Sequence, residues 1–385
     1  MTRLHPRCGT SFLFVVVAIS ILLFALVSAV FPTSNMLVRM LIRLALLPFV
    51  VSISYECNRF VGRHDNALTR ALSAPGMWFH AGGRHRSAEA RHSGRGGCRP
   101  MVKKYGDLYL QARRALLPSE GENASMAARE LLAFASGKSV TAVLADSNLY
   151  ASEQIEEKLS SYVNRMLAHE PLPYILGQWD FYGISLEVTP DVLIPRDDTM
   201  AVTDLALDVL RGREAPRVLD LCCGSGCIGL AIAHQLPDAH VTLADISRPA
   251  LAVAKRNIKR LKLMNRVKAV GLDARKRGPS FVGTLDALVC NPPYVTSEEM
   301  TRLEPSVKEY EPALALDGGK DGLAFYRAVA ENFTHLLSDG GYLCFEFGLG
   351  QHMAVSMILQ EYGYTDIVLR KDLRGVVRAV RGKKK

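Results

Sequence analysis

The chain has 385 residues, 49% of them apolar and 22% charged, which lies in the globular range and excludes wholesale disorder, a collagen-like repeat or a coiled coil. Its formal net charge of +9 invites a nucleic-acid partner, but residues 1–100 hold 12 Arg, no Lys and 3 acids, and so carry the whole excess. Residues 101–385 balance 35 basic against 35 acidic side chains. The basic character therefore says little about what the folded part binds.

The first segment in chain order, Ser11–Phe31, is uncharged over 21 residues. As a helix it would span about 31 Å, enough for a bilayer core of ~30 Å. Arg3 and Arg7 precede it, and Val27-Ser28-Ala29 resembles a small-residue cleavage site. A second apolar stretch, Met36–Ile53, carries Arg39 and Arg43 and blurs any orientation. Arg59–Pro100 is rich in Arg, Gly, His and Ser without helical or strand period, and nothing in it builds a core. We expect residues 1–100 to be a leader unrelated to the rest, Met101 being the native start, in a cytoplasmic protein. A genuine membrane anchor facing the cytoplasm is the alternative. Three of the eight Cys lie in this leader, and the five in the body, Cys222, Cys223, Cys227, Cys290 and Cys344, show no zinc-like spacing. Reduced thiols and no metal are expected.

From Met101 to Leu176 apolar residues recur at helical spacing, with Ser152 as N-cap of a helix that presents Ile155, Leu159, Val163 and Met166 on one face and stops before Pro171. A small helical domain is predicted over 101–176. Residues 177–195 read as a hairpin linker around Gly183, broken by Pro190 and Pro195. Beyond Arg196, short apolar strands alternate with helices: Arg217–Leu221, Val241–Asp245, Val267–Leu272, Leu285–Cys290 and Gly341–Phe347, then Asp366–Arg370 and Val376–Arg381. Repeated βα units over 196–385 predict a mainly parallel sheet covered on both faces, ending in an antiparallel pair.

The chemistry gathers at strand ends. After the first strand comes Gly224-x-Gly226-x-x-Gly229, with Asp245 21 residues past Gly224. Glycines let the backbone approach a ligand, and an acid at the second strand's end can hold ribose hydroxyls. Asp220, beside the loop, repels a pyrophosphate but suits the cationic S-adenosylmethionine, leaving a nicotinamide cofactor as the minor reading. Asn291-Pro292-Pro293-Tyr294 closes the strand Leu285–Cys290. The prolines stiffen the segment and remove donors. A planar NH2 group can then donate to the Asn291 side-chain oxygen and the Pro292 carbonyl while Tyr294 stacks on its plane, which aims the nitrogen at an electrophilic methyl. Cys222 or Cys223 and Cys290 end adjacent strands, so an oxidisable pair is expected if their Cα atoms lie within ~7 Å.

These features, together with Pro173-Tyr174-Ile175-Leu176-Gly177, Val192-Leu193-Ile194-Pro195-Arg196 and Glu311-Pro312-Ala313-Leu314-Ala315-Leu316 followed by Gly318-Gly319-Lys320-Asp321-Gly322-Leu323, resemble the HemK/PrmC family, protein-(glutamine N5) methyltransferases that modify the Gly-Gly-Gln motif of peptide chain release factors. The resemblance covers about Met101 to Gly382. It implies a Rossmann-like S-adenosylmethionine-dependent methyltransferase fold. Cofactor contacts would fall on Cys222, Cys223, Gly224, Ser225, Gly226, Asp245 and Asn291, joining Asp220. The substrate glutamine would meet Asn291, Pro292, Pro293 and Tyr294, with catalysis by Asn291, Pro292 and Tyr294. The helical domain would grip the release factor, with no nucleic acid expected and a membrane only if the leader is translated. Two departures stand out. Arg196 is followed by Asp197-Asp198-Thr199-Met200 where the family has Pro-Glu-Thr-Glu, and no aromatic stands near Asp273-Ala274 to flank an adenine. The competing functions are adenine-N6 methylation of DNA or RNA after base flipping, and a membrane-anchored interaction protein with an inactive methyltransferase fold.

Overall fold

A computed structural model describes residues 102–385. The expectations on the leader, including the span Ser11–Phe31, lie outside the described residues. Among the described residues no helix is long and apolar enough to cross a membrane.

The helical region comprises α1 (Tyr105–Glu120), α2 (Ala124–Ser136), α3 (Val140–Ala145), α4 (Glu153–Leu167) and α5 (Leu172–Leu176). On α1, Leu108, Ala112 and Leu116 recur every four residues and are buried. They meet Leu131 and Leu132 of α2 and Leu159 and Val163 of α4 in one core, the geometry an i, i+4 stripe dictates. Gly137 ends α2 in a left-handed conformation and returns its N–H to the carbonyls of Ala133 and Phe134. Ser152 takes the N-cap position of α4, yet its side chain makes no capping bond. Its backbone carbonyl instead accepts the N–H groups of Ile155 and Glu156.

The predicted hairpin is present as β1 (Gln178–Phe181) and β2 (Ile184–Glu187). Tyr182 and Gly183 both have positive φ, as the favoured two-residue hairpin turn requires. The hairpin does more than link, because Phe181, Ile184 and Leu186 are buried in the core of the following sheet.

That sheet has seven strands: β3 (Arg217–Leu221), β4 (His240–Asp245), β5 (Val267–Gly271), β6 (Leu285–Cys290), β7 (Leu337–Glu346), β8 (Thr365–Lys371) and β9 (Val377–Lys383), in the order β5-β4-β3-β6-β7-β9-β8. All pairings are parallel except β7 with β9 and β9 with β8. This is the Rossmann-like methyltransferase arrangement expected. Strand parity assigns the two cores: Val218, Leu243 and Val289 face one with α6 (Met200–Leu210) and α7 (Cys227–Gln235), while Leu219, Leu221, Leu288 and Phe345 face the other with α10 (Ala324–Phe333) and α11 (His352–Glu361). Helices α8 (Arg248–Arg260) and α9 (Pro305–Lys308) complete the chain. β7 begins four residues before the expected Gly341, because an irregularity opposite Leu285–Ala287 absorbs the Asp339-Gly340 turn signal inside the strand. The chain leaves β3 toward β4 and β5, then crosses back to β6 on the other side of β3. The resulting crevice at the carboxyl ends of β3 and β6 is where open parallel sheets bind ligands.

Candidate active site

The loop after β3 is built by backbone demands. Cys222, Gly224 and Gly226 all have positive φ, so two of the three positions carry the residue that tolerates it and Cys222 bears the strain. Gly229 serves helix–strand packing: a Cβ there would lie 2.4 Å from Leu243 Cδ2. Its N–H donates to Asp220 Oδ2 at 2.8 Å. Asp220 is 0% exposed, and its Oδ1 has no partner. Burial pushes its carboxyl up to about 7, against the Gly229 bond. Here the structure corrects the sequence reading. Asp220 lies beneath the loop, off the cavity wall, because its strand neighbours Leu219 and Leu221 take the opposite face.

Asp245, the last residue of β4, does reach the wall. Its Oδ2 accepts the Gly224 N–H and its Oδ1 the Ser247 N–H, each at 2.9 Å. Burial raises its pKa, with these bonds opposing. Each oxygen keeps a lone pair for a ligand hydroxyl. The Gly224 N–H, which a pyrophosphate would want, already donates to a carboxylate. This disfavours an anionic dinucleotide and suits a nucleoside with cationic substituents.

The cavity between these elements is about 560 Å3, within the range for cofactor-sized ligands. Cys222, Cys223, Gly224, Ser225, Asp245, Asn291 and Pro293 line it, as do Asp273 and Ala274. Gly226, Pro292 and Tyr294 stand behind the wall. The apolar wall is completed by Ile246, Leu272 and Phe325. Phe325, on α10, brings an aromatic to the cavity that also has Asp273 and Ala274 on its wall, and no sequence signal placed a residue so distant in the chain beside that strand.

Asn291 ends β6 with its Nδ2 3.5 Å from Thr199 Oγ1. The following segment is zipped to residues 316–319: Val295 N–H donates to Leu316 O at 3.0 Å and Gly318 N–H to Val295 O at 2.8 Å. A Cβ on Gly318 would lie 2.7 Å from Tyr294 Cα, which accounts for the glycine. Gln351 Nε2 donates to the Tyr294 carbonyl at 3.1 Å. Among the described residues no donor engages the Pro292 carbonyl. Tyr294 departs from expectation: its hydroxyl points at Glu346 Oε1, 3.5 Å away, and burial pushes its phenol up. The residue is half-buried and is not among those that line the cavity.

Buried Glu311 joins two of the motif stretches by accepting from the Ile194 N–H at 3.2 Å and pairing with the Arg196 guanidinium. Tyr174 donates to Val192 O at 2.6 Å and ties the helical region to the same wall. Divergent Asp197 and Asp198, with Thr199, form a 3-10 turn. Within it Asp198 pairs with Arg378 at 3.2 Å and buried Thr199 faces Asn291. The five body cysteines are free. Burial and the neighbouring Cys222 push the Cys290 thiol up. Among the described residues no group of three or more His, Cys, Asp or Glu side chains could hold a metal ion.

Three family models match the chain: a PrmC N-terminal domain over residues 107–177, a methyltransferase small domain over 197–309, and a protein of unknown function over 1–81. The segment set apart by composition thus has relatives of its own. Several proteins named release factor glutamine methyltransferase are similar over nearly their whole length. That of Geobacter sulfurreducens is 36% identical over 71% of this chain and 95% of its own. For Bradyrhizobium diazoefficiens the values are 36%, 72% and 96%, and for Clostridium acetobutylicum 33%, 72% and 99%. A solved protein-(glutamine-N5) methyltransferase (release factor-specific) from Alicyclobacillus acidocaldarius is 29% identical, covering 52% of this chain and 99% of that one with a TM-score of 0.31, too low to align the two sites.

Proposed function

Because the chain belongs to the release factor glutamine methyltransferase family, we propose that its cavity takes S-adenosylmethionine and opens to the glutamine of a Gly-Gly-Gln motif in a peptide chain release factor. The reaction is methyl transfer to the glutamine side-chain nitrogen. The observation that carries the site assignment is the meeting of Asp245 and Asn291 on one cavity at the ends of β4 and β6.

When bound, the cofactor supplies an electrophilic methyl on a sulfonium. The free lone pairs of Asp245 would accept the ribose hydroxyls, and Ile246, Leu272 and Phe325 would supply the apolar wall for the adenine. Asn291 Oδ1 and the unengaged Pro292 carbonyl accept the two amide hydrogens of the glutamine. A neutral amide nitrogen is a poor nucleophile, so holding both hydrogens on acceptors fixes its orientation and raises its electron density as positive charge develops. The extra proton on the methylated nitrogen is strongly acidic and passes to water. The helical region grips the release factor, and the neutral body works in the cytoplasm without nucleic acid. The test is labelled-methyl transfer from S-adenosylmethionine to a release factor, to its Gly-Gly-Ala variant and to DNA. Label is expected in the first alone; equal labelling of the Ala variant, or labelling of DNA, defeats the reading.

A further inference from the structure

A carboxylate buried behind Asn291 has no part in the mechanism above. Glu346 ends β7, is 2% exposed, and leaves Oε2 without a partner. Around it stand Thr199 and Asp198 from the 3-10 turn, Asn291 and Tyr294 from the β6 extension, Arg378 from β9 and Cys227 from α7. Thr199 and Asn291 lie near enough to the carboxylate to favour its ionised form, and Asn291 Nδ2 faces Thr199 Oγ1 at 3.5 Å.

An unpaired buried carboxylate is costly, and its placement has a consequence for the amide in front of it. Asn291 can serve a substrate NH2 only if its Oδ1 faces the cavity, yet an amide can turn over and present its NH2 instead. An ionised carboxylate accepts and never donates. It attracts the Asn291 NH2 and repels Oδ1, and Thr199 can relay the same preference, since an Oγ1 that accepts from Nδ2 has its own hydrogen free to turn toward the carboxylate. We propose that Glu346 is a positioning residue for the methyl transfer, holding the Asn291 NH2 inward, with Thr199, so that Oδ1 is turned to the substrate amide. This rests on Asn291 being the acceptor of that amide. Burial, opposed first by Thr199, pushes the Glu346 carboxyl up to about 7. A protonated Glu346 can donate, and the preference is then lost.

The experiment compares full-length wild type, Glu346→Gln, Thr199→Val, Thr199→Ser and Asn291→Ala, with release factor as substrate. In Glu346→Gln we expect kcat about tenfold lower, the worth of one charged hydrogen bond, with cofactor Kd unchanged. The wild-type rate should rise through about pH 7, and that limb should vanish in Glu346→Gln. Thr199→Ser should keep kcat and Thr199→Val lose it, an independent reading should Glu346→Gln fold poorly. Wild-type kcat and an intact acid limb in Glu346→Gln overturn the proposal. So does a loss of kcat in proportion to cofactor-binding sites with the limb unchanged, the mark of a packing role. Full activity in Asn291→Ala would instead remove the underlying reading of the acceptor.

Discussion

Replacing Asp245 by Ala isolates the contribution of one carboxylate to cofactor binding. Each of its oxygens holds one backbone N–H at 2.9 Å, which leaves one lone pair apiece for the two ribose hydroxyls. Hydrogen bonds to a charged group contribute about 1.5–3 kcal/mol each, so loss of the pair should cost roughly 3–6 kcal/mol, or about two to four decades in Kd. The fold should tolerate the change better than the site does, since Asp245 is only half-buried and water can reach the released Gly224 and Ser247 N–H groups. Isothermal titration with S-adenosylhomocysteine, run beside thermal melting, separates these effects. Affinity within threefold of wild type would refute the placement of the ribose at the end of β4.

Asn291→Ala should lower kcat about a hundredfold, as loss of a preorganised group at the reacting atom does, while cofactor Kd in calorimetry stays within a few-fold. Asp220 has a folded pKa of about 7 against an ordinary 3.8. Its stabilising contribution is therefore complete below about pH 4 and lost as pH rises through 7. Glu346 adds a slope of the same sign, so Asp220→Asn should flatten about half of the fall in unfolding free energy between pH 4 and 7, roughly 2–4 kcal/mol, in denaturant titrations. Burial keeps the Cys290 thiol protonated at neutral pH, and thiolate is the reactive form. The Cys222–Cys290 pairing expected from the sequence should therefore form only slowly with hydrogen peroxide, and rapid appearance of that crosslink in mass spectra would contradict this slowing. A chain starting at Met101 should show full kcat in the methyl-transfer assay, because the described residues among 102–385 suffice to line the cavity; a large loss would give the leader a part in the site.

The strands were legible because each is a β-branched or leucine-rich run bounded by Gly, Pro or Asp, and such runs have one stable use between two helical layers. That Asp245 and Asn291 line one cavity was legible because the first ends a strand and the second directly follows one, where position alone largely decides what a side chain meets. Asp220 was misread although it is close to the loop in sequence: in a strand neighbouring residues take opposite faces, and its face lies under α7, where Gly229 waits. The contact of Tyr294 with Glu346 was not legible, because its segment is held by residues 316–319 and Gln351, partners that local sequence does not reveal. Thr199, Phe325 and Glu346 come from three separated stretches. Nothing in a lone threonine, phenylalanine or strand-end acid announces that the sheet will bring it to Asn291 or to the cavity.

Fragmentation mass spectrometry of a release factor incubated with the purified protein and S-adenosylmethionine tests the central claim most directly. The account predicts one added methylene, confined to the glutamine of the Gly-Gly-Gln motif and absent when Asn291→Ala replaces the wild type. A methyl group on any other side chain, or on that glutamine at an undiminished rate with Asn291→Ala, would contradict it.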